Sequence, residues 1–446
     1  MSALSTLLAF VVTLGVLVVI HEFGHYWVAR RCGVRVLRFS VGFGRPLWRK
    51  VYGKDRTEWV VAAIPLGGYV RMLDERDPDI DPRLLADLSR AFNRQPVARR
   101  IAIVLAGPLA NLLLAVGVYW LLNVSGTLEP RAVLGAPAEA TIAARAGVRD
   151  GDEVTQVDGH PVRAYGELRW KLLERAVDRA EVELTVRGAG GAERTLLLDL
   201  AQLGPGEIDQ TVFSRVGIAL AEPAPVVRQL SPDGVAATAG LQPGDRFVSI
   251  DGQPMARSRD VSQAVRAAPG RTLEVVIDRG GRRSSLQLQP AAVQVDGETI
   301  GRIGVDFRDL VEVRYGPVES VGLAVQRTWD TAVFSLRMLG RMITGEASWK
   351  NLAGPVTIAD YAGQTARMGM VAYLSFLALV SISLGVLNLL PIPMLDGGHL
   401  LYYFVEILKG SPPADWVVEW GQRAGIGVLV LLTALALYND LTRLLA

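Results

Sequence analysis

His21, Glu22 and His25, in the stretch HEFGH, follow directly on the apolar run LLAFVVTLGVLVVI. On a helix, positions i and i+4 lie one turn apart on the same face, so His21 and His25 can offer two imidazole nitrogens to one metal ion. Glu22, next in line, reaches a water held by that ion. Ionisable groups inside an apolar helix are costly unless they are partnered. Two neutral histidines on Zn²⁺, with a glutamate hydrogen-bonded to the bound water, are satisfied polar groups. With only four histidines in the chain, chance produces this pattern on the order of 0.002 times per chain of this length.

A catalytic zinc takes a third protein ligand and keeps a further position for water. The stretch NLLPIPMLDGGHLL, residues 388–401, offers Asp396 and His399 for that place. Its two prolines and paired glycines break regular helix, and irregular backbone is tolerated at membrane depth only around a protein-lined cavity. A set of two histidines and one carboxylate suits several divalent ions, so the residues alone do not name the metal.

These residues need apolar elements to carry them, and the composition supplies them. The chain has 446 residues, 50% of them hydrophobic and 21% charged, with a mean hydropathy of +0.27. The 47 basic and 45 acidic residues leave a net charge of +2, which gives no electrostatic footprint for nucleic acid. Cys32 stands alone, so no internal disulfide forms. Four apolar stretches, Leu4 to Ala29, Ile101 to Val124, Met370 to Leu390 and the shorter Ile426 to Tyr438 with its flanks, approach the ~20 residues that a span needs. The first has no basic n-region and no small-residue cleavage site after it, and reads as a retained span.

Arg30, Arg31, Arg35, Arg38, Arg45, Arg49, Lys50, Lys54, Arg99 and Arg100 lie between the first two spans, and no Lys or Arg precedes the first. The excess places the 30–100 loop in the cytoplasm. Both termini and residues 125–365 then fall on the far side, the periplasm of a Gram-negative cell. Residues 321–343 are apolar on one face but carry Arg327, Asp330, Arg337 and Arg341, which favours lying along the interface over spanning. With that count His21, roughly 25 Å into an inward-running helix, and Asp396, at the end of another inward span, approach the same leaflet.

The far-side segment is duplicated. GVRDGDEVTQVDGHPV (147–162) and GLQPGDRFVSIDGQPM (240–255) share their glycines, Gly-Asp, Asp-Gly and proline at constant offset. Each reads as a turn, a short alternating strand and a tight Asp-Gly hairpin, followed by a helical stretch. His160, in the first Asp-Gly turn, reads as a solvated loop residue.

GDxVxxxDGxPV resembles the core signature of PDZ domains, which take peptide ends by strand addition at a sheet edge. RVGIAL (215–220) and RIGVDF (302–307) are similar to the ligand strand of the circularly permuted bacterial type, which points to Gly217, Ile218, Gly304 and Val305. HExxH in the first span, GPLAN (107–111) in the second, NLLPIPMLDGG in the third and the paired PDZ signatures together resemble the site-2 protease family of intramembrane zinc metalloproteases. The resemblance covers nearly the whole chain. It implies a polytopic α-helical membrane protein of four transmembrane helices, with a membrane-associated β-hairpin and two tandem α+β PDZ domains. The implied order is a first helix with HExxH (1–30), a cytoplasmic segment with a re-entrant β-loop (31–100), a second helix (101–125), PDZ domains at 126–220 and 221–312, periplasmic interfacial helices (313–368), a third helix with LDGG (369–397), and a cytoplasmic amphipathic helix with the fourth span (398–446).

The resemblance further implies one Zn²⁺ on His21, His25 and Asp396, favouring Asp396 over His399, with Glu22 as general base and then proton donor. It implies that Asn388 contacts the substrate backbone or polarises its carbonyl, while Asn111 is a weaker candidate for substrate contact and reads first as a packing residue beside Gly107. The strand-like runs VRVLRFSVGFG and EWVVAAIPLGGYVRM, with Gly42, Gly44, Gly67 and Gly68, would hold an unwound substrate by strand addition. The implied substrates are single-span proteins already trimmed in the periplasm, such as the anti-sigma factor of an envelope-stress response, or remnant signal peptides, met in the bilayer of the bacterial inner membrane. The PDZ pair would exclude untrimmed ectodomains. A non-catalytic PDZ scaffold with a structural metal is the rival reading; it has no use for Glu22.

Overall fold

The computed structural model describes residues 3–77, 88–188, 190–204, 211–295 and 298–445. It divides into one unit of Met1–Thr127 with Arg314–Ala446, and a second of Leu128–Val313.

Among the described residues, four helices of the first unit are long and apolar enough to cross a membrane: Leu4–Arg31, Val97–Ser125, Met370–Asn388 and Trp416–Thr442. The first two cross closely because Gly24 has no side chain, and a Cβ there would overlap the Ala106 carbonyl. The third packs Ala378, Ile382 and Val386 against Ala115, Val118, Tyr119 and Leu122 of the second. The expected amphipathic helix before the fourth span is not separate, because Asp415–Leu445 is one continuous helix. Its Gly421 and Gly425, spaced as helix breakers would be, instead let Tyr402 and Pro393 come close. The third helix stops at Asn388, and Asp396 begins a distinct helix, Asp396–Lys409.

Pro317–Ile343 is a single amphipathic helix. It buries Ser320, Ala324, Thr328 and Thr331 and leaves Val318, Val321, Val325 and Trp329 exposed. Its Arg327 guanidinium sits 4.6 Å from the Tyr119 ring centre. Among the described residues it falls outside the helices long and apolar enough to span. The next helix, Pro355–Met368, is tied to the last one at its N-terminus. Asp440, fully buried, accepts the Gly354, Val356 and Thr357 amides and the Thr357 hydroxyl.

Val36–Tyr52 and Thr57–Met72 form one long, bent antiparallel pair. The segment 38–41 lies between 58–61 on one side and 68–71 on the other, while 48–52 continues outward along 57–61. The folded-back hairpin therefore behaves as a four-stranded sheet with 68–72 at one edge.

The second unit holds two modules of the same build, with sheets in which His160–Pro161, Glu153–Val157, Glu181–Arg187 and Glu193–Asp199 lie side by side, matched by Gln253–Pro254, Arg246–Ile250, Leu273–Arg279 and Arg282–Leu288. Helices Tyr165–Asp178 and Ser258–Arg266 cover them. The Asp-Gly turns are tight and left-handed at both residues: φ is 50° and 73° at Asp158 and Gly159, 47° and 77° at Asp251 and Gly252. That is the twist-matched hairpin turn. The aspartate of each Gly-Asp pair is buried and plays one role twice. Asp152 accepts the Arg149 amide and Arg194, and Asp245 accepts the Gln242 amide and Arg279.

Candidate metal centre

His21 and His25 stand on the first helix as the spacing requires. Their Nε2 atoms lie 3.3 Å apart. Asp396 Oδ2 lies 3.3 Å from His21 Nε2 and 3.5 Å from His25 Nε2. His25 Nδ1 is 2.8 Å from the Ile103 carbonyl, which only accepts, so Nδ1 carries the hydrogen and Nε2 presents a lone pair. Asp396 Oδ2 is buried and makes no hydrogen bond. Two imidazole nitrogens paired only with each other and a buried carboxylate oxygen with no hydrogen-bond partner make an unfinished polar cluster, and a divalent cation with open coordination completes it. The donor set of nitrogen and oxygen suits zinc.

The second helix makes room for these rings. A Cβ on Gly107 would overlap His25 Nε2 and crowd the His21 ring. Four residues on, Asn111 is fully buried with its Nδ2 at 3.2 Å from His21 Nδ1. Gly107 and Asn111 repeat on this helix the i, i+4 spacing of the histidines facing them. That spacing is the sequence signal for their part in the site, which reading Asn111 as a packing or substrate-contacting residue passed over.

Asp396 reaches the cluster because the chain turns sharply after the third span. Cβ atoms on Gly397 and Gly398 would overlap the carbonyls of Leu389, Leu390 and Ile392. His399, the other candidate, lines the same cavity but stands outside the converging set, with its ring edge-on to Tyr402 at 6.5 Å.

The cavity measures about 510 Å³ and brings Glu22, Asn388 and the sheet edge Gly68–Met72 together with the three converging residues. A Cβ on Gly68 would press on Glu22 and Val18, so the absence of a side chain lets the edge strand lie over the first helix. Gly42, Gly44 and Gly67 do not line the cavity; Gly42 and Gly67 lie close against Ile64 and Phe43 within the hairpin. In the second unit, Gly304 and Val305 line a groove of about 620 Å³ beside Val261 and Val265 of the module helix. Gly217 and Ile218 take other places. Gly217, with φ of 86°, caps the short helix Val212–Val216, and Ile218 is buried in the core of its module. The expected strand over RVGIAL thus begins as helix, with Arg215 and Val216 in its last turn, since the left-handed glycine closes a helical turn.

Comparison with known proteins assigns residues 9–432 to the description Peptidase family M50. A Ralstonia nicotianae protein provisionally named a zinc metalloprotease is 45% identical over 98% of each chain. The regulator of sigma-E protease RseP of Escherichia coli K12 is 42% identical over the full length of both chains. Among solved structures, the PDZ domain of an SdrC-like protein of Listeria monocytogenes matches over 93% of its own length and 21% of this chain, at 23% identity and TM-score 0.17.

Proposed function

The chain belongs to peptidase family M50 and is a zinc metalloprotease resembling RseP, and from that premise we propose that it cuts the transmembrane segments of trimmed single-span proteins inside the bacterial inner membrane. The observation that carries this reading is the convergence of His21, His25 and Asp396 beside Glu22 in one cavity bordered by a sheet edge. His21, His25 and Asp396 hold one zinc ion. Bound zinc acidifies water and polarises a carbonyl.

Glu22 takes one proton from the attacking water and delivers it to the leaving amine. A substrate helix hides its peptide groups in its own hydrogen bonds, and unwound backbone in lipid needs new partners. The edge Gly68–Met72 offers them by strand addition, with Asn388 orienting the exposed peptide group. The substrates are an anti-sigma factor of the sigma-E type and remnant signal peptides. The loop between the first two spans faces the cytoplasm. The two modules of residues 128–313 are tandem PDZ domains in the periplasm, where their bulk excludes untrimmed ectodomains. The groove at Gly304 and Val305 is the better candidate to take a peptide end.

The test is cleavage of a model single-span peptide by purified protein, with and without chelator. Glu22→Gln should retain zinc and lose about 10²–10⁴-fold in rate, the span of a positioned acid–base group. Cleavage surviving both chelation and this substitution would overturn the mechanism.

A further inference from the structure

His25 has its ring fixed by a carbonyl, whereas His21 has only the amide of Asn111 at its Nδ1. Asn111 is fully buried between the first three spans, and its own carbonyl is held by the hydroxyl of Ser381 at 2.7 Å, so its backbone cannot drift. Its side-chain Oδ1 is buried with no hydrogen-bond partner, while Nδ2 points at His21. This arrangement suits a His21 whose Nδ1 is bare and whose Nε2 carries the hydrogen, donated to the lone pair of His25 Nε2.

A cation on Nε2 demands the opposite tautomer. His21 Nδ1 then bears hydrogen and requires an acceptor. A half-turn of the amide exchanges its two ends and brings Oδ1, the atom now without a partner, onto that hydrogen. We propose that Asn111 is a positioning residue for the metal site, its amide oxygen accepting His21 Nδ1–H and locking the tautomer that presents Nε2 to the ion. The proposal rests on the metal reading above, and it gives the buried amide a task that helix packing would not require.

The test uses the full-length protein in detergent. Zinc affinity is read by competition with a chromogenic chelator, and zinc content by elemental analysis, without reference to cleavage. Asn111→Asp keeps an acceptor of the same size, while Asn111→Leu keeps the size and loses the acceptor. Asn111→Leu should weaken zinc binding about 10- to 100-fold, the usual effect of losing a ligand's outer partner, and Asn111→Asp should stay within a few-fold of wild type. Because the chain has four histidines, ¹⁵N-histidine spectra of the wild type give a second readout that no folding defect can disturb. With zinc bound, His21 should show hydrogen on Nδ1 and metal on Nε2.

Unchanged affinity in Asn111→Leu, equal loss in both variants, or zinc on Nδ1 of His21 would each overturn the role of Asn111 while leaving the metal site standing. A wild type that takes up no zinc would overturn both.

Discussion

At the scale of single residues, the decisive feature is what is missing at position 107. The two imidazoles occupy the volume that any side chain there would fill, so Gly107→Ala must push His25 off the line shared with Asp396. We expect zinc affinity to fall at least 10-fold, measured by chelator competition, with peptidase activity falling in step. Gly117 lies ten positions further along the same helix with nothing near its would-be Cβ. Gly117→Ala should leave zinc and activity unchanged and stabilise the helix by up to about 1 kcal/mol, seen as an equal or higher midpoint of thermal unfolding. Equal damage from both would mean that the second helix is merely intolerant of bulk. His21, Glu22 and His25 were legible because one helical turn brings them together. Asp396 was legible only jointly with His399, since a linear stretch does not say which of two polar residues a sharp turn aims inward. Gly107 and Asn111 were visible as residues, but their task depends on which helix they face.

At the scale of elements, the duplicated modules show how far a local pattern reaches. The Asp-Gly turns follow from the sequence because few residue pairs accept left-handed backbone at both positions. The Gly-Asp pairs were equally visible, yet their use was not, because the arginine each aspartate binds comes from a strand some forty residues on. Burial alone would raise the Asp245 carboxyl, but the Arg279 guanidinium and the Gln242 amide outweigh it and hold the group below the ordinary aspartate value. A group lowered in the folded state adds stability above its unfolded value, about 3.9, and that share is lost as pH falls through the lowered one. Hydrogen-exchange protection factors in the second module of the full-length protein should therefore hold from pH 7 to about 5 and decline only below about pH 4. Asp245→Asn should lower them already at pH 7 and remove this part of the acid decline. An unaltered acid profile in Asp245→Asn would assign the decline to other carboxylates. RVGIAL failed as a strand for a related reason, since a Gly followed by an apolar residue serves a helix cap or a strand equally well.

At the scale of the molecule, the first unit sorts its contacts into two ends. Towards one end lie Thr6 beside Gly363, Trp120 on the Pro317 carbonyl, and Asp440 on the amides around Gly354. Towards the other lie the histidine pair and the half-buried ion pair of Arg100 with Glu406 at 2.6 Å. An odd crossing between residues 128 and 370 would have brought the start of the third span to the wrong end and kept Asp396 from His21. We read the amphipathic helix Pro317–Ile343 as adding no crossing, because the approach of Asp396 to His21 then follows from the span count. The absolute direction is a separate question, and the proposed one, with the hairpin in the cytoplasm, follows the run of basic residues after the first span. With Cys32 replaced by serine, Lys54→Cys and Ser284→Cys each introduce one exposed thiol, in the hairpin and in the second module. A membrane-impermeant maleimide applied to cells with a permeabilised outer membrane should modify the thiol at 284 at once, and that at 54 only after the inner membrane is opened. The reverse order would turn the protein over, moving Glu22 and its cavity towards the periplasmic face and stripping the two modules of the proposed role in screening ectodomains.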